Sequence, residues 1–248
     1  MNKGMIADIG LRIGQEGRVR VLTLDRPQAK NAMDGAMMDV MLESLRLAGE
    51  DDNIGAVLIT ATGDVFCPGA DIKELARIAA AGEAQLRAAA DQRLALFRAV
   101  RQCPRPVVAA INGTAIGGGC GLALSCDIVL ASDTAKFSYP EVRLGVVPGT
   151  IMVGLMRAAG HKAALDLVLT GRSITAAEAL QYGLVSRVVP RVQLMGEAMA
   201  CAQGLAGSDA AALRHTKALF HEIAELDYER ALERARDVNL ATRRKRSG

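Results

Sequence analysis

Three short segments hold the residue types that could do chemistry. The first is Asn112-Gly113-Thr114-Ala115-Ile116-Gly117-Gly118-Gly119-Cys120-Gly121, between a buried apolar run and Leu122-Ala123-Leu124-Ser125. It fails as a Walker phosphate loop, because Gly118 is followed by Gly119 and not by Lys-Ser or Lys-Thr. It fails the dinucleotide fingerprint as well, since Gly117 and Gly119 are followed at the third place by Leu122. What remains is a strand, a run of glycines and a helix start. Glycines let the backbone approach a ligand, and free N–H groups at a helix N-terminus favour negative charge. Such amides can stabilise an oxyanion as it develops, without any side chain. Taken alone, the run is equally a tight turn beneath a helix.

The second segment, Phe66-Cys67-Pro68-Gly69-Ala70-Asp71, also leads from strand to helix, with Asp71 placed as the cap. Two turns of this kind can aim two N–H groups at one carbonyl oxygen. The third is Ser138-Tyr139-Pro140-Glu141, followed by the apolar Val142-Arg143-Leu144-Gly145-Val146-Val147-Pro148-Gly149. Beside such a stretch, desolvation disfavours a charged carboxylate, which suits a general acid/base. By itself, a Glu is more often an exposed charge.

The elements that must position these segments can be read from the pattern. Arg18 to Asp25 alternates as a half-buried strand, and Arg26-Pro27 ends it. Asp34 caps a helix whose Met37, Met38, Met41, Leu42 and Leu45 share a face. Ala56–Thr60, Pro106–Ile111 and Asp127–Ala131 read as buried strands, and Phe137 and Tyr139 as apolar positions of a short fourth one. Helices are expected over Ile72–Ala80 and Glu83–Val100. From Thr150 onward most segments have helical periodicity: Ile151–Ala159, Lys162–Leu169, Ala176–Gln181, Val192–Leu205 and Ala210 to about Ala241. Thr175 and Glu178 form a capping-box signature. This order implies an α/β core with a helical C-terminal region.

Composition removes several function classes. The 248 residues suit one large domain, with 50% hydrophobic and 23% charged residues in a globular balance. Thirty Lys and Arg against 27 Asp and Glu leave +3, too little to argue for nucleic acid. With no Trp, four Phe and three Tyr, stacking on exposed bases is poorly served. The basic Arg243-Arg244-Lys245-Arg246 reads as a solvated tail. No apolar run reaches the roughly 20 residues of a membrane helix, and the opening Met1 to Asp8 lacks a secretory pattern. A cytoplasmic location is expected. Five scattered cysteines without a CxxC pair argue against a disulfide framework and structural zinc, and His161, His215 and His221 lack HExxH spacing.

Leu22 to Met33 (with Asp25-Arg26-Pro27 and Ala29-Lys30-Asn31-Ala32), Phe66 to Leu75, Pro106 to Asp127 and Phe137 to Gly149 together resemble successive signatures of the crotonase superfamily, the enoyl-CoA hydratase/isomerase family. The likeness continues through Leu169 to Val185 and covers roughly residues 15 to 190 in order. It implies a spiral of ββα units over 1–190, carrying an acyl-CoA site, and a helical region over 191–248 that builds trimers, often paired into hexamers. It implies that the Ala70 and Gly118 amides polarise a thioester carbonyl and stabilise an enolate, with Glu141 transferring protons. Ala29, Lys30, Pro68, Ala70, Asp71 and Ile72 fall where the family lines its acyl-CoA site, largely through backbone. Gly117, Pro140 and Gly149 complete the expected substrate contacts. No metal and no separate cofactor are expected, coenzyme A being part of the substrate.

One departure decides the expected reaction. Family hydratases carry a second glutamate directly after Gly-Gly-Gly-Cys, and this chain has Gly121 there. Two carboxylates help to add water across an α,β double bond. One can move a proton between Cα and Cγ of a 3-enoyl thioester, as in the family's isomerases. The expectation is therefore a Δ3-to-Δ2 enoyl-CoA isomerase. Its rivals are a hydratase, or another lyase or hydrolase, without the second glutamate, and a non-catalytic member that binds acyl-CoA or a protein. Thr150-Ile151-Met152-Val153 and the short, basic C-terminus also depart from the family pattern.

Overall fold

The computed structural model describes residues 9–244. The opening Met1 to Asp8 and the tail residues Lys245 and Arg246 lie outside the described residues, as do the side chains of Ile72 and Arg244. Strands β1 (Leu11–Glu16) and β2 (Val19–Leu24) form an antiparallel hairpin, followed by helix α1 (Gly35–Glu50). Then come β3 (Ala56–Ala61), β4 (Val65–Cys67), α2 (Ile72–Ala81) and α3 (Glu83–Gln102). The pattern repeats as β5 (Val107–Ile111), β6 (Thr114–Ile116), α4 (Gly118–Ser125), and again as β7 (Ile128–Ser132), β8 (Lys136–Ser138), α5 (Gly149–Thr170). In each repeat the first strand joins a larger sheet and the second a smaller one. The larger sheet runs β1-β2-β3-β5-β7-β10 and the smaller β4-β6-β8-β9, with β9 (Ser173–Thr175) and β10 (Arg187–Val189) closing them. This is the expected spiral of ββα units.

Burial explains the pattern. The central strands are covered on both faces, so they read as continuous apolar runs rather than alternating ones. Val57, Ile59, Val107, Ala109 and Ile111 pack with Met37, Met41 and Leu45 of α1. Leu58, Val108, Ala110 and Leu130 face the other way, onto Leu194, Ala198, Ala202 and Ala206 of α7 (Leu194–Ala206). The capping-box helix is α6 (Ala176–Gln181), with both reciprocal Thr175–Glu178 bonds formed. Among the described residues, no helix is long and apolar enough to cross a membrane.

Several details differ from the sequence expectation. The region after Thr150 is not purely helical, because β9 and β10 return to the sheets as three-residue edge strands. Strands so short carry too few alternating positions to show a period. The two helices expected around residue 160 meet end to end within α5, and Gly160 (φ 72°, ψ 173°) breaks the helical path. The long helix expected from Ala210 divides into α8 (Ala210–Ile223) and α9 (Tyr228–Arg244). Asp227 begins the second helix by accepting from the Arg230 amide.

Candidate active site

The smaller sheet brings the three chemical segments together. Its strands β4, β6 and β8 lie side by side and parallel, so the turns leaving them emerge at the same sheet end. Gly69-Ala70 follows β4, Gly117-Gly118 follows β6, and Pro140-Glu141 follows β8. The approach between the first two is close. A methyl group on Gly69 would lie 3.1 Å from the Gly118 nitrogen, and one on Gly118 would lie 3.8 Å from the Ala70 nitrogen.

Both amides are left available for local reasons. Ala70 pairs with Met33 in a one-residue parallel bridge, in which Met33 donates to Gly69 O and Asp71 donates to Met33 O. That pattern uses the groups flanking Ala70 and turns its own N–H away from Met33, the geometry of a parallel ladder. Gly118 is the first residue of α4, where a backbone N–H has no intrahelical partner. The adjoining Gly117 donates to Ser138 O at 2.9 Å, which fixes the turn against the strand before Glu141. Gly117 has φ 51° and ψ −113°, a conformation that side chains other than hydrogen rarely adopt.

Glu141 sits in a short 3-10 turn, Pro140–Leu144, and its carboxylate lies against Gly117, where a Cβ would collide with Oε1. Its Oε2 is buried with no hydrogen-bond partner. Burial raises the carboxyl pKa above the usual range, and the acid's own backbone amide offsets this only in part. A desolvated carboxylate thus stands one residue from the Gly118 amide.

The expected substrate contacts occupy the rim. Ala29 and Lys30 lie on a 3-10 turn ending in a left-handed Lys30 (φ 54°), and the Lys30 side chain is exposed. Pro68 is half-buried on the Ala70 turn, and Pro140 opens the Glu141 turn. Asp71 has committed its carboxylate: it caps α2 through the Lys73 and Glu74 amides and pairs with Arg26 at 3.1 Å. Burial would raise its pKa, but those amides and the guanidinium outweigh it and hold the acid below the usual range. Asp71 therefore has only backbone to offer a ligand. Ile72 begins α2 and Gly149 begins α5 at an exposed position.

Sequence reading passed over two residues that meet Gly121. A Cβ there would lie 2.8 Å from Cζ and 3.0 Å from Cε2 of Phe97, and 3.5 Å from Cγ1 of Ile151. Phe97 comes from α3, and only its place in the apolar periodicity marked it. Cys120, next in line, is buried with a thiol pushed up to about 12 by desolvation, so it stays protonated and unreactive. Cys67 behaves likewise. Among the described residues, no group of three His, Cys, Asp or Glu could hold a metal ion.

Comparisons with known proteins bear on the family and the fold. The sequence model described as enoyl-CoA hydratase/isomerase matches residues 14–247. A probable enoyl-CoA hydratase, echA8, from Mycobacterium tuberculosis is 41% identical over 229 residues, covering 89% of this chain and 86% of that protein. The 2,3-dehydroadipyl-CoA hydratase of Escherichia coli is 36% identical over 230 residues, covering 92% and 88%. The crystal structure of an enoyl-CoA hydratase from Bacillus anthracis superposes with a TM-score of 0.88 at 32% identity, over 93% of this chain and 89% of that one. With ordered motifs, spiral topology and relatives in accord, the chain belongs to the enoyl-CoA hydratase/isomerase family of the crotonase superfamily.

Proposed function

We propose that this enzyme isomerises a 3-enoyl-CoA to the conjugated 2-enoyl-CoA with Glu141 as its single proton carrier. The Ala70 and Gly118 amides receive the thioester oxygen. The Glu141 carboxylate removes a proton from Cα, and the C–H electron pair moves into the carbonyl to give a dienolate. The Glu141 acid then returns the proton to Cγ as the electrons move back and the double bond settles between Cα and Cβ. Atoms and electrons balance without a cofactor. Each preorganised amide is worth on the order of 3–4 kcal/mol in such chemistry.

The observation that carries this reading is the closed apolar space at Gly121. The edge of the Phe97 ring stands where a second acid would begin, and Ile151 packs against the same position. A raised Glu141 pKa supports the same role, because the group must both take and release a proton near neutral pH. Homotrimeric or hexameric assembly belongs to the proposal, supported by the exposed Leu144 at the end of the Glu141 turn and Val146 and Val147 just after it.

Hydration is the second reading, favoured by the hydratase names of the relatives. Incubation with 3-hexenoyl-CoA and with crotonyl-CoA, following conjugation at the thioester, separates the two. Conversion of the first with inertness to the second is expected. Rapid loss of conjugation from crotonyl-CoA would replace isomerase with hydratase, and inertness to both would favour a binder without turnover.

A further inference from the structure

We infer that Arg26 is a positioning residue for the oxyanion site, aiming the Ala70 amide through a clamp on Asp71; this rests on the Ala70 role proposed above. The Arg26 guanidinium is about four-fifths buried and reaches three oxygens. Nη1 donates to Ala32 O at 2.9 Å and pairs with Asp34 Oδ2 at 2.8 Å, while Nη2 pairs with Asp71 Oδ2 at 3.1 Å. Asp34 and Asp71 are the N-caps of α1 and α2, and each spends its other oxygen on helix amides. One guanidinium thus ties two helix starts together by their caps.

The Met33–Ala70 bridge lies between those two caps, one residue before each. A single-residue bridge holds its partners with only two hydrogen bonds, Met33 to Gly69 O at 2.9 Å and Asp71 to Met33 O at 3.0 Å. Alone it is a weak hinge. With Arg26 holding Asp34 and Asp71, both chains of the bridge are tied at the residue that follows it, and the direction of the Ala70 N–H is set. The fold makes room for the clamp at Gly10, where a Cβ would overlap the Arg26 side chain. The Arg26 backbone is held as well, its amide donating to Asn31 Oδ1 at 2.8 Å, while Asn31 Nδ2 donates to Thr62 O and Val65 O. Planar, multidentate contact of this kind suits Arg better than Lys.

An amide misaligned by about 1 Å can cost on the order of 100-fold in rate while leaving affinity largely intact. The test compares wild type, Arg26→Lys, Arg26→Met and Asp71→Asn. Asp71→Asn keeps a capping oxygen but weakens the clamp, so it reads the contact should Arg26→Met fail to fold. Two signals are recorded: kcat and KM on 3-hexenoyl-CoA, and the absorption maximum of a bound cinnamoyl-CoA, which moves to the red as its carbonyl is polarised. We expect Arg26→Met to lose about 10- to 100-fold in kcat with KM changed less than about 3-fold. The red shift should fall in parallel, with Arg26→Lys intermediate and Asp71→Asn lowered in both signals. A full red shift in folded Arg26→Met or Asp71→Asn protein would overturn the clamp. Absence of the shift in wild type would instead overturn the oxyanion role of Ala70 and Gly118, and the clamp with it.

Discussion

The edge of the Phe97 ring lies where a side chain at Gly121 would begin, with Cζ 2.8 Å from the Cβ position. The glycine and the aromatic ring are therefore one feature: the ring takes volume that the glycine vacates. A glutamate at 121 must displace the ring or lose its own place. Gly121→Glu is expected to cost about 1–3 kcal/mol by overpacking and to add no hydration of crotonyl-CoA. Adding Phe97→Ala should recover part of that stability and introduce measurable hydration. Urea melts and loss of the conjugated thioester absorbance read the two effects. Equal hydration by the single and double variants would show that Phe97 does not guard the position.

The Glu141 carboxylate lies against Gly117 with no hydrogen-bond partner for Oε2, which makes its charged form costly, and the proton carrier proposed above depends on that carboxylate. Glu141→Gln should reduce kcat by about 100- to 10,000-fold with acyl-CoA affinity nearly unchanged. In wild type, kcat should fall as pH drops through the raised Glu141 pKa, at a higher pH than an ordinary carboxylate would give. The stability sign is opposite. A raised folded-state pKa contributes stability below the unfolded value, and that contribution is lost as pH rises through the folded pKa. Glu141→Gln should thus melt at or above wild type at pH 7 and lose this advantage in acid; a lower melting temperature at pH 7 would contradict the burial argument.

Much of this site was legible in the sequence because its signals are local. Strand, glycines and helix start occupy the eleven residues Asn112–Leu122, and Asp71 stands at the cap position in its own segment. The same holds for the buried strands at Ala56 and Val107, whose apolar runs follow from burial on both faces. Phe97 and Gly121 are 24 positions apart, and their contact arises only when α3 packs beside α4. Arg26 and Asp71 meet across the Met33 bridge for the same reason. Short strands such as β9 and β10 depend on a neighbouring edge and leave no period of their own.

Gly117 joins the glycine run to the acid. Its φ of 51° with ψ −113° disfavours any side chain, and a methyl would collide with the Glu141 carboxylate. Gly117→Ala is expected to lose about 1–3 kcal/mol from backbone strain and to lower kcat more than a stability loss alone explains. Activity at saturating substrate, measured well below the melting temperature, checks this. Normal kcat in folded Gly117→Ala protein would mean that Glu141 can move aside without consequence.

Away from the site, Asp127 shows what a carboxylate about four-fifths covered by its neighbours needs. Lys217 of α8 pairs with its Oδ2 at 2.7 Å, and the same oxygen accepts from the Val107 amide at 2.7 Å. His221 approaches Oδ1 at 3.9 Å, and Arg101 adds a weaker attraction. Burial nevertheless leaves the Asp127 pKa above the usual range, with Lys217 offsetting only part of the cost. Removing that partner strands a carboxylate beneath α8, which has no fully buried residue of its own to keep it docked. Lys217→Met should therefore cost about 1–3 kcal/mol at pH 7, the usual penalty for a partly buried polar group left without its partner. Because a raised carboxyl pKa gives stability on the acid side, the penalty should shrink as Asp127 takes up a proton. Urea melts of both proteins at pH 7 and pH 5 test this, and a penalty independent of pH would assign the loss to Lys217 packing and not to the charge on Asp127.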